Sequence, residues 1–208
     1  MPPVGEAAPA RDLSAALASL EKGDTAAVDR VQVLDALAAQ AGGDFALLAG
    51  SGRLAIADGR ERELPGPTGE RNTWRAHPRG LTVALGDEDG LVSAWLAQAM
   101  AAIAAGNPVL LAAGGDPAVA AKVAAWVRAA GWPAAAAVKA TTAEWCALPS
   151  LAAVMAGSPA QAAEAALAVA ARPGARIPVV EPEGSPAHYA VWRLECERTV
   201  SVNTVAAG

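Results

Sequence analysis

Charge, aromatic rings and cysteine are all scarce in this 208-residue chain. Only 18% of its residues are charged and 4% are aromatic, namely six Trp, one Tyr and one Phe. Sixteen Lys and Arg stand against 21 Asp and Glu, a formal charge of −5, and the basic residues form no cluster. Nucleic acids and anionic membrane surfaces are bound through concentrated positive charge, so neither is an expected partner. The two cysteines, Cys146 and Cys196, have no second ligand-type residue at metal spacing, which excludes a structural zinc site, and no metal is expected. The first residues lack the basic and long apolar regions of an export signal, so both thiols are expected to be free in a reducing cytoplasm. The longest apolar stretch, 91–115, is broken by Gln98, Gly106, Asn107 and Pro108, short of the roughly 20 residues of a membrane span. A soluble, cytoplasmic protein without membrane insertion is expected.

What is abundant is small and apolar. Hydrophobic residues make up 53% of the chain, mostly Ala and Val, which implies a light, close-packed core in one domain or one and a half. Residues 1–10 read as a loose lead-in. Leu13, Leu17 and Leu20, then Val31, Val33, Leu34 and Leu37, recur at helical spacing and read as two short, antiparallel helices. In 44–58, two apolar runs flank Gly50-Ser51-Gly52, a turn signal that reads as a hairpin. Residues 63–80 are dense in Pro, Gly and charge, lack periodicity, and read as a loop or extended arm.

After Gly80 strands and helices alternate. Strands are expected at 81–85, 108–112, 134–139, 151–156 and 176–180, and helices at 88–105, 142–147 and two further places. One is N-capped by Asp116 with Pro117 at its first position and closes at Gly131; the other opens on a Ser158/Gln161 capping box with Pro159 and runs to about residue 171. Strands joined by single helices imply right-handed βαβ units. The fold class is therefore α/β, a Rossmann-like doubly wound parallel sheet of about five strands, with an N-terminal helical segment and a β-like arm and tail. The segments are 1–60 (helices and hairpin), 61–80 (arm), 81–184 (Rossmann-like domain) and 185–208 (β-flap and tail).

Few residues carry chemistry. Gly114-Gly115-Asp116 follows a strand, but an anionic Asp occupies the place a phosphate would take, so it reads as a structural turn. Gly157-Ser158 opens a helix and is a weak candidate for an anion. Cys146 reads as half-buried and Cys196 as part of an alternating tail; His77 and His188 lie in loop or strand-edge contexts, so a Cys/His pair stays open without being favoured. Asp87, Glu88 and Asp89 read as an acidic helix start, and Trp95 and Trp126 as core.

Two strings, LPGPTGERNTWRAHPRG (64–80) and ERTVSVNTVAAG (197–208), resemble segments of the C-terminal region of long proline utilization A proteins, which are bifunctional flavin- and NAD-dependent enzymes. Between them, GNPVLLAAGGDPA (106–118) and AAVMAGSPAQAAEAALAVAARPGARIPVV (152–180) resemble the nucleotide-binding half of aldehyde dehydrogenases. The resemblance spans about residues 60–208. It places the family's ribose-binding Lys and Glu at Ala112 and Gly115, and Met155 and Ala156 replace the Phe-Thr of the family's phosphate-side turn, of which Gly157 and Ser158 remain. Glu181 and Glu183 fall near the family's general base, but the chain has no room for the domain that carries the nucleophilic Cys.

The resemblance thus implies a non-catalytic aldehyde-dehydrogenase-like domain with no cofactor of its own, FAD and NAD belonging to the parent family. It implies partners in the aldehyde dehydrogenase and proline dehydrogenase modules of the same family, and a role in sealing a cavity that channels L-glutamate-γ-semialdehyde. The expected interface is Leu64, Pro65, Gly66, Pro67, Thr68, Gly69, Glu70, Arg71 and Asn72, with Ser201, Val202, Asn203 and Thr204. Two alternatives remain: a truncated NAD-dependent aldehyde dehydrogenase using Cys146 or Cys196, and a small nucleotide-binding Rossmann domain.

Overall fold

A strand buried on both faces reads as an unbroken apolar run, and five such strands build the core of the computed structural model. Residues 13–42, 45–58, 60–115, 117–184 and 188–203 are described. In chain order the elements are α1 (Leu13–Glu21), α2 (Arg30–Ala41), α3 (Phe45–Asp58), β1 (Arg62–Leu64), β2 (Glu70–Pro78), β3 (Leu81–Ala84), α4 (Val92–Ala104) and β4 (Val109–Ala113). There follow α5 (Ala118–Ala129), β5 (Ala135–Lys139), α6 (Thr142–Cys146), β6 (Leu151–Met155), α7 (Pro159–Ala170), β7 (Val179–Val180), a 3-10 turn (Val191–Leu194) and β8 (Glu195–Asn203).

The parallel sheet has the order β5-β4-β3-β6-β7. Along β4, Val109, Leu111 and Ala113 face α2 to α5, while Leu110 and Ala112 face α1, α6 and α7. A separate antiparallel sheet has the order β1-β2-β8, with Glu70 opposite Asn203 and Pro78 opposite Glu195. The α/β, doubly wound expectation holds, with the tail contributing a strand.

Several local expectations fail for physical reasons. Residues 45–58 form helix α3, not a hairpin. A Cβ on Gly52 would come within 2.7 Å of Leu34 Cδ1, so this glycine serves close packing of α3 on α2 instead of a turn. Helices α1 and α2 are not a pair, because Ala16 and Leu20 pack on one face of the sheet and Val33, Leu34 and Leu37 on the other. The arm at 63–80 is largely strand, stabilised by a partner about 125 residues away in the chain. Helix α4 starts at Val92, since the Asp87 carboxylate accepts the Leu91 N–H at 2.8 Å and holds 87–90 in a turn. Pro117 is the N-cap residue of α5, while Asp116, expected in that role, lies outside the described residues. Ser158 caps α7 as expected, but Gln161 reaches back to the Gly157 N–H at 2.6 Å. The fifth strand shortens to Val179–Val180.

Two fully buried amides fasten the tail to the sheet. Asn107 accepts the Gly80 N–H at 3.0 Å and donates to the Leu194 carbonyl at 2.8 Å. Gln98 pairs with both backbone groups of Gly86, at 2.9 and 3.0 Å, and donates to the Tyr189 hydroxyl at 2.9 Å. Replacing Asn107 by Leu strands a buried donor and a buried acceptor, for an expected loss of about 3 kcal/mol at about 1–3 kcal/mol per group. Urea unfolding measures that loss, and faster amide exchange in β8 identifies the tail as the part released.

Candidate functional site

In a doubly wound sheet, ligands bind outside the carboxyl ends of the strands where the strand order reverses. Here that point lies between β3 and β6, and the two loops leaving these strands close on each other. A Cβ on Gly157 would lie 2.1 Å from the Gly86 carbonyl oxygen and 2.7 Å from Asp87 Cα, so backbone already fills the space beside this turn. The Ser158 hydroxyl donates to the Glu88 carboxylate at 3.0 Å, and the Gly157 N–H is taken by Gln161. Tyr189 completes the closure by donating to the Ala156 carbonyl at 3.0 Å; burial pushes its hydroxyl pKa up to about 12. The helix N-terminus that would attract phosphate is satisfied by the chain's own side chains, and Asp87, Glu88 and Asp89 set negative charge beside it.

The neighbouring groove is lined by Leu85, Ala112, Gly114, Ala140, Thr141 and Trp145, with Gln161 and Glu164 from α7. Ala112 is buried in β4 and Gly115 is exposed with open space beside it. Neither supplies a hydrogen bond to a ribose, and the charged side chain lining the groove is a carboxylate.

The expected interface residues, by contrast, are brought together. Leu64 ends β1, residues 65–69 form the connection, and Glu70, Arg71 and Asn72 begin β2. Their cross-strand partners on β8 are Asn203, Val202 and Ser201 respectively. Thr204 lies outside the described residues. Val200 and Val202, 46% and 51% exposed, share one face of β8, and Leu64 is also exposed. Register places Arg62 opposite Trp74, and the guanidinium sits 5.2 Å from the ring centroid. This sheet end has no core of its own.

The thiols separate cleanly. Cys146 is buried on α6 with its Sγ donating to the Ala168 carbonyl at 3.3 Å, whereas Cys196 is exposed on β8 directly opposite His77. No side-chain hydrogen bond joins Cys196 and His77 among the described residues, and His188 is instead bridged through its backbone to Glu183. Trp95 is buried as expected, and Trp126 is partly buried under Lys122, 4.9 Å from its ring. Sequence reasoning missed Gln98, Asn107 and Tyr189 as the groups that hold the tail; their signal was a lone amide or phenol inside apolar text. It also missed Glu195, at the root of β8. Burial raises its pKa to about 7, opposed by the nearby Arg30, whose own value burial lowers.

No family model matches the chain. It is 37% identical over 150 residues to the bifunctional protein PutA of Salmonella typhimurium, a match covering 72% of this chain and 11% of that protein. The chain thus spans about a tenth of that relative's length. A mutant of Bradyrhizobium japonicum proline utilization A (PutA) superposes with a TM-score of 0.65 at 25% identity, over 82% of this chain and 21% of that one. An aldehyde dehydrogenase from Brucella melitensis biovar abortus superposes with a TM-score of 0.58 over 84% of this chain and 44% of that one; at 16% identity it shows the fold alone.

Two predictions follow from these placements. Under native conditions a thiol reagent should titrate Cys196 quickly and Cys146 only after denaturation, so Cys196→Ala should abolish the fast phase. A carboxyl whose folded pKa lies above its ordinary 4.5 binds its proton more tightly folded than unfolded. The stability it adds is complete below about 4.5 and is lost as pH rises through about 7. Glu195→Gln should accordingly gain stability over the parent chain on going from about pH 5 to about pH 8, read from urea midpoints at each pH.

Proposed function

Since the chain is an aldehyde-dehydrogenase-like domain homologous to part of PutA, we propose that it is non-catalytic and acts by packing. In this reading the β1-β2-β8 sheet docks on the L-glutamate-γ-semialdehyde dehydrogenase module of a proline utilization A protein and helps seal the cavity through which the semialdehyde passes. FAD and NAD belong to the other modules.

The observation that carries the reading is the register of β2 on β8. Two stretches about 125 residues apart, each resembling proline utilization A, meet strand to strand at an exposed sheet end. A small exposed sheet is marginal alone and gains stability by being covered. A reactive intermediate passing between two sites also needs bulk water excluded, which a domain without catalytic groups achieves by shape. The closed switch point, and Ala112 and Gly115 with no polar side chain to offer a ribose, support the absence of a nucleotide function. The truncated-enzyme alternative draws no support from Cys146, which is buried, and rests on Cys196 alone.

The test adds the 208-residue chain to a PutA preparation lacking the corresponding domain. The expected result is a stable complex in sedimentation and a shorter lag before NADH appears from proline. Val200→Asp combined with Val202→Asp should weaken the complex at least about tenfold, as loss of a central interface contact does. Calorimetry should register no heat with NAD. Tight NAD binding, or no complex, would overturn the reading.

A further inference from the structure

At the β7 edge of the parallel sheet a groove of about 1200 Å3 runs between the end of α7, β7 and the 3-10 turn of the tail. Arg79, Arg172, Arg176 and Arg193 line it against Glu195 and Glu197, in a chain whose net charge is −5. The ion pair recorded among the described residues is Arg53 with Asp35, so none of these four guanidiniums is met by a carboxylate. Three of them are held in place by backbone instead. Arg79 donates to the Glu195 carbonyl at 2.7 Å, Arg172 to the Leu148 carbonyl at 2.9 Å, and Arg193 to the Val179 carbonyl at 2.9 Å. Arg79 Nε and Arg172 Nη1 are buried without a hydrogen-bond partner, an incomplete pairing that native interiors rarely leave uncompensated. Glu195 also lines the neighbouring groove with Arg30 and Arg75.

Three further features narrow the occupant. Trp192 stands at the rim, 73% exposed, beside the apolar Val169 and Ile177. Trp and Arg are the residue types that dominate binding energy at protein interfaces, and positioned guanidiniums select carboxylates. The groove exceeds the roughly 300–1000 Å3 of small-ligand pockets. Strand addition is not available, because β6 uses the carbonyls of Pro178 and Val180 and Arg193 occupies that of Val179. Four arginines in an acidic chain are too few for nucleic acid, whose affinity comes from many phosphate contacts.

We propose that this groove docks an acidic protein segment with interspersed apolar residues, its carboxylates on the arginines and an apolar side chain against Trp192. The site shares no variant with the β1-β2-β8 docking reading, so either can fail alone.

The test uses the 208-residue chain and a dye-labelled octapeptide of alternating Glu and Leu, followed by fluorescence anisotropy. Saturable binding should weaken at least about tenfold with Arg176→Glu, whose side chain is exposed and takes part in no recorded bond. Trp192→Ala should weaken it at least about fivefold. Raising salt from about 50 to about 300 mM should weaken it further. Lys139→Glu, on the opposite edge strand β5, should leave affinity within about twofold, with the unfolding midpoints of all variants unchanged. Absence of saturable binding, equal binding of a control octapeptide of alternating Lys and Leu, indifference to both groove variants, or tighter binding of oligothymidylate would each overturn the proposal.

Discussion

The C-terminal tail, and with it the antiparallel sheet, hangs on two buried side-chain amides. Burying an amide in an apolar helix or loop is unfavourable unless its hydrogen bonds are met. Gln98 and Asn107 have theirs met by the Gly86 turn, the Gly80 N–H and the tail. The tail's residues therefore supply partners that the core requires. Tyr189 and Leu194 are drawn onto the sheet, and the chain leaving Leu194 is aimed as β8 along β2. The antiparallel sheet is placed by this anchoring, since its own strands are exposed along most of their length.

The same anchoring fills the switch point between β3 and β6. Gln98 fixes Gly86, whose φ of +68° and contact with the Trp95 ring leave no room for a side chain. Gly86 and Asp87 then pack on Gly157, and Tyr189 ties Ala156 from the other side. At its switch point this Rossmann-like sheet is filled by its own backbone and side chains.

The parallel sheet was legible because buried strands of Ala, Val and Leu alternate with helices whose boundaries are local in origin. Ser158 capping α7 and the turn at Gly131 depend only on near neighbours. The errors came where distant contacts decide. Gly50-Ser51-Gly52 has the composition of a turn, but the packing of Gly52 against Leu34 and Ala104 favours helix. Residues 70–78 have no alternation to mark a strand, and became one because residues 195–203 pair with them. The resemblance had already named both stretches, while their pairing into one sheet could not be read from either string. The arginine groove was invisible for the same reason, its four guanidiniums coming from positions 79 to 193.

Three of those arginines share a habit with Arg30: Arg30, Arg79, Arg172 and Arg193 all donate to backbone carbonyls. A guanidinium bonded to a carbonyl keeps its full charge, whereas one paired with a carboxylate is neutralised locally. Positive charge is thereby retained in fixed positions on an acidic chain, and the root of β8 lies where it concentrates. Arg79 holds the Glu195 backbone while Arg30 acts on the Glu195 carboxyl from the adjoining groove. The strand that carries the exposed Val200 and Val202 is consequently held at its base by Arg79 and Arg30 and left open at its tip.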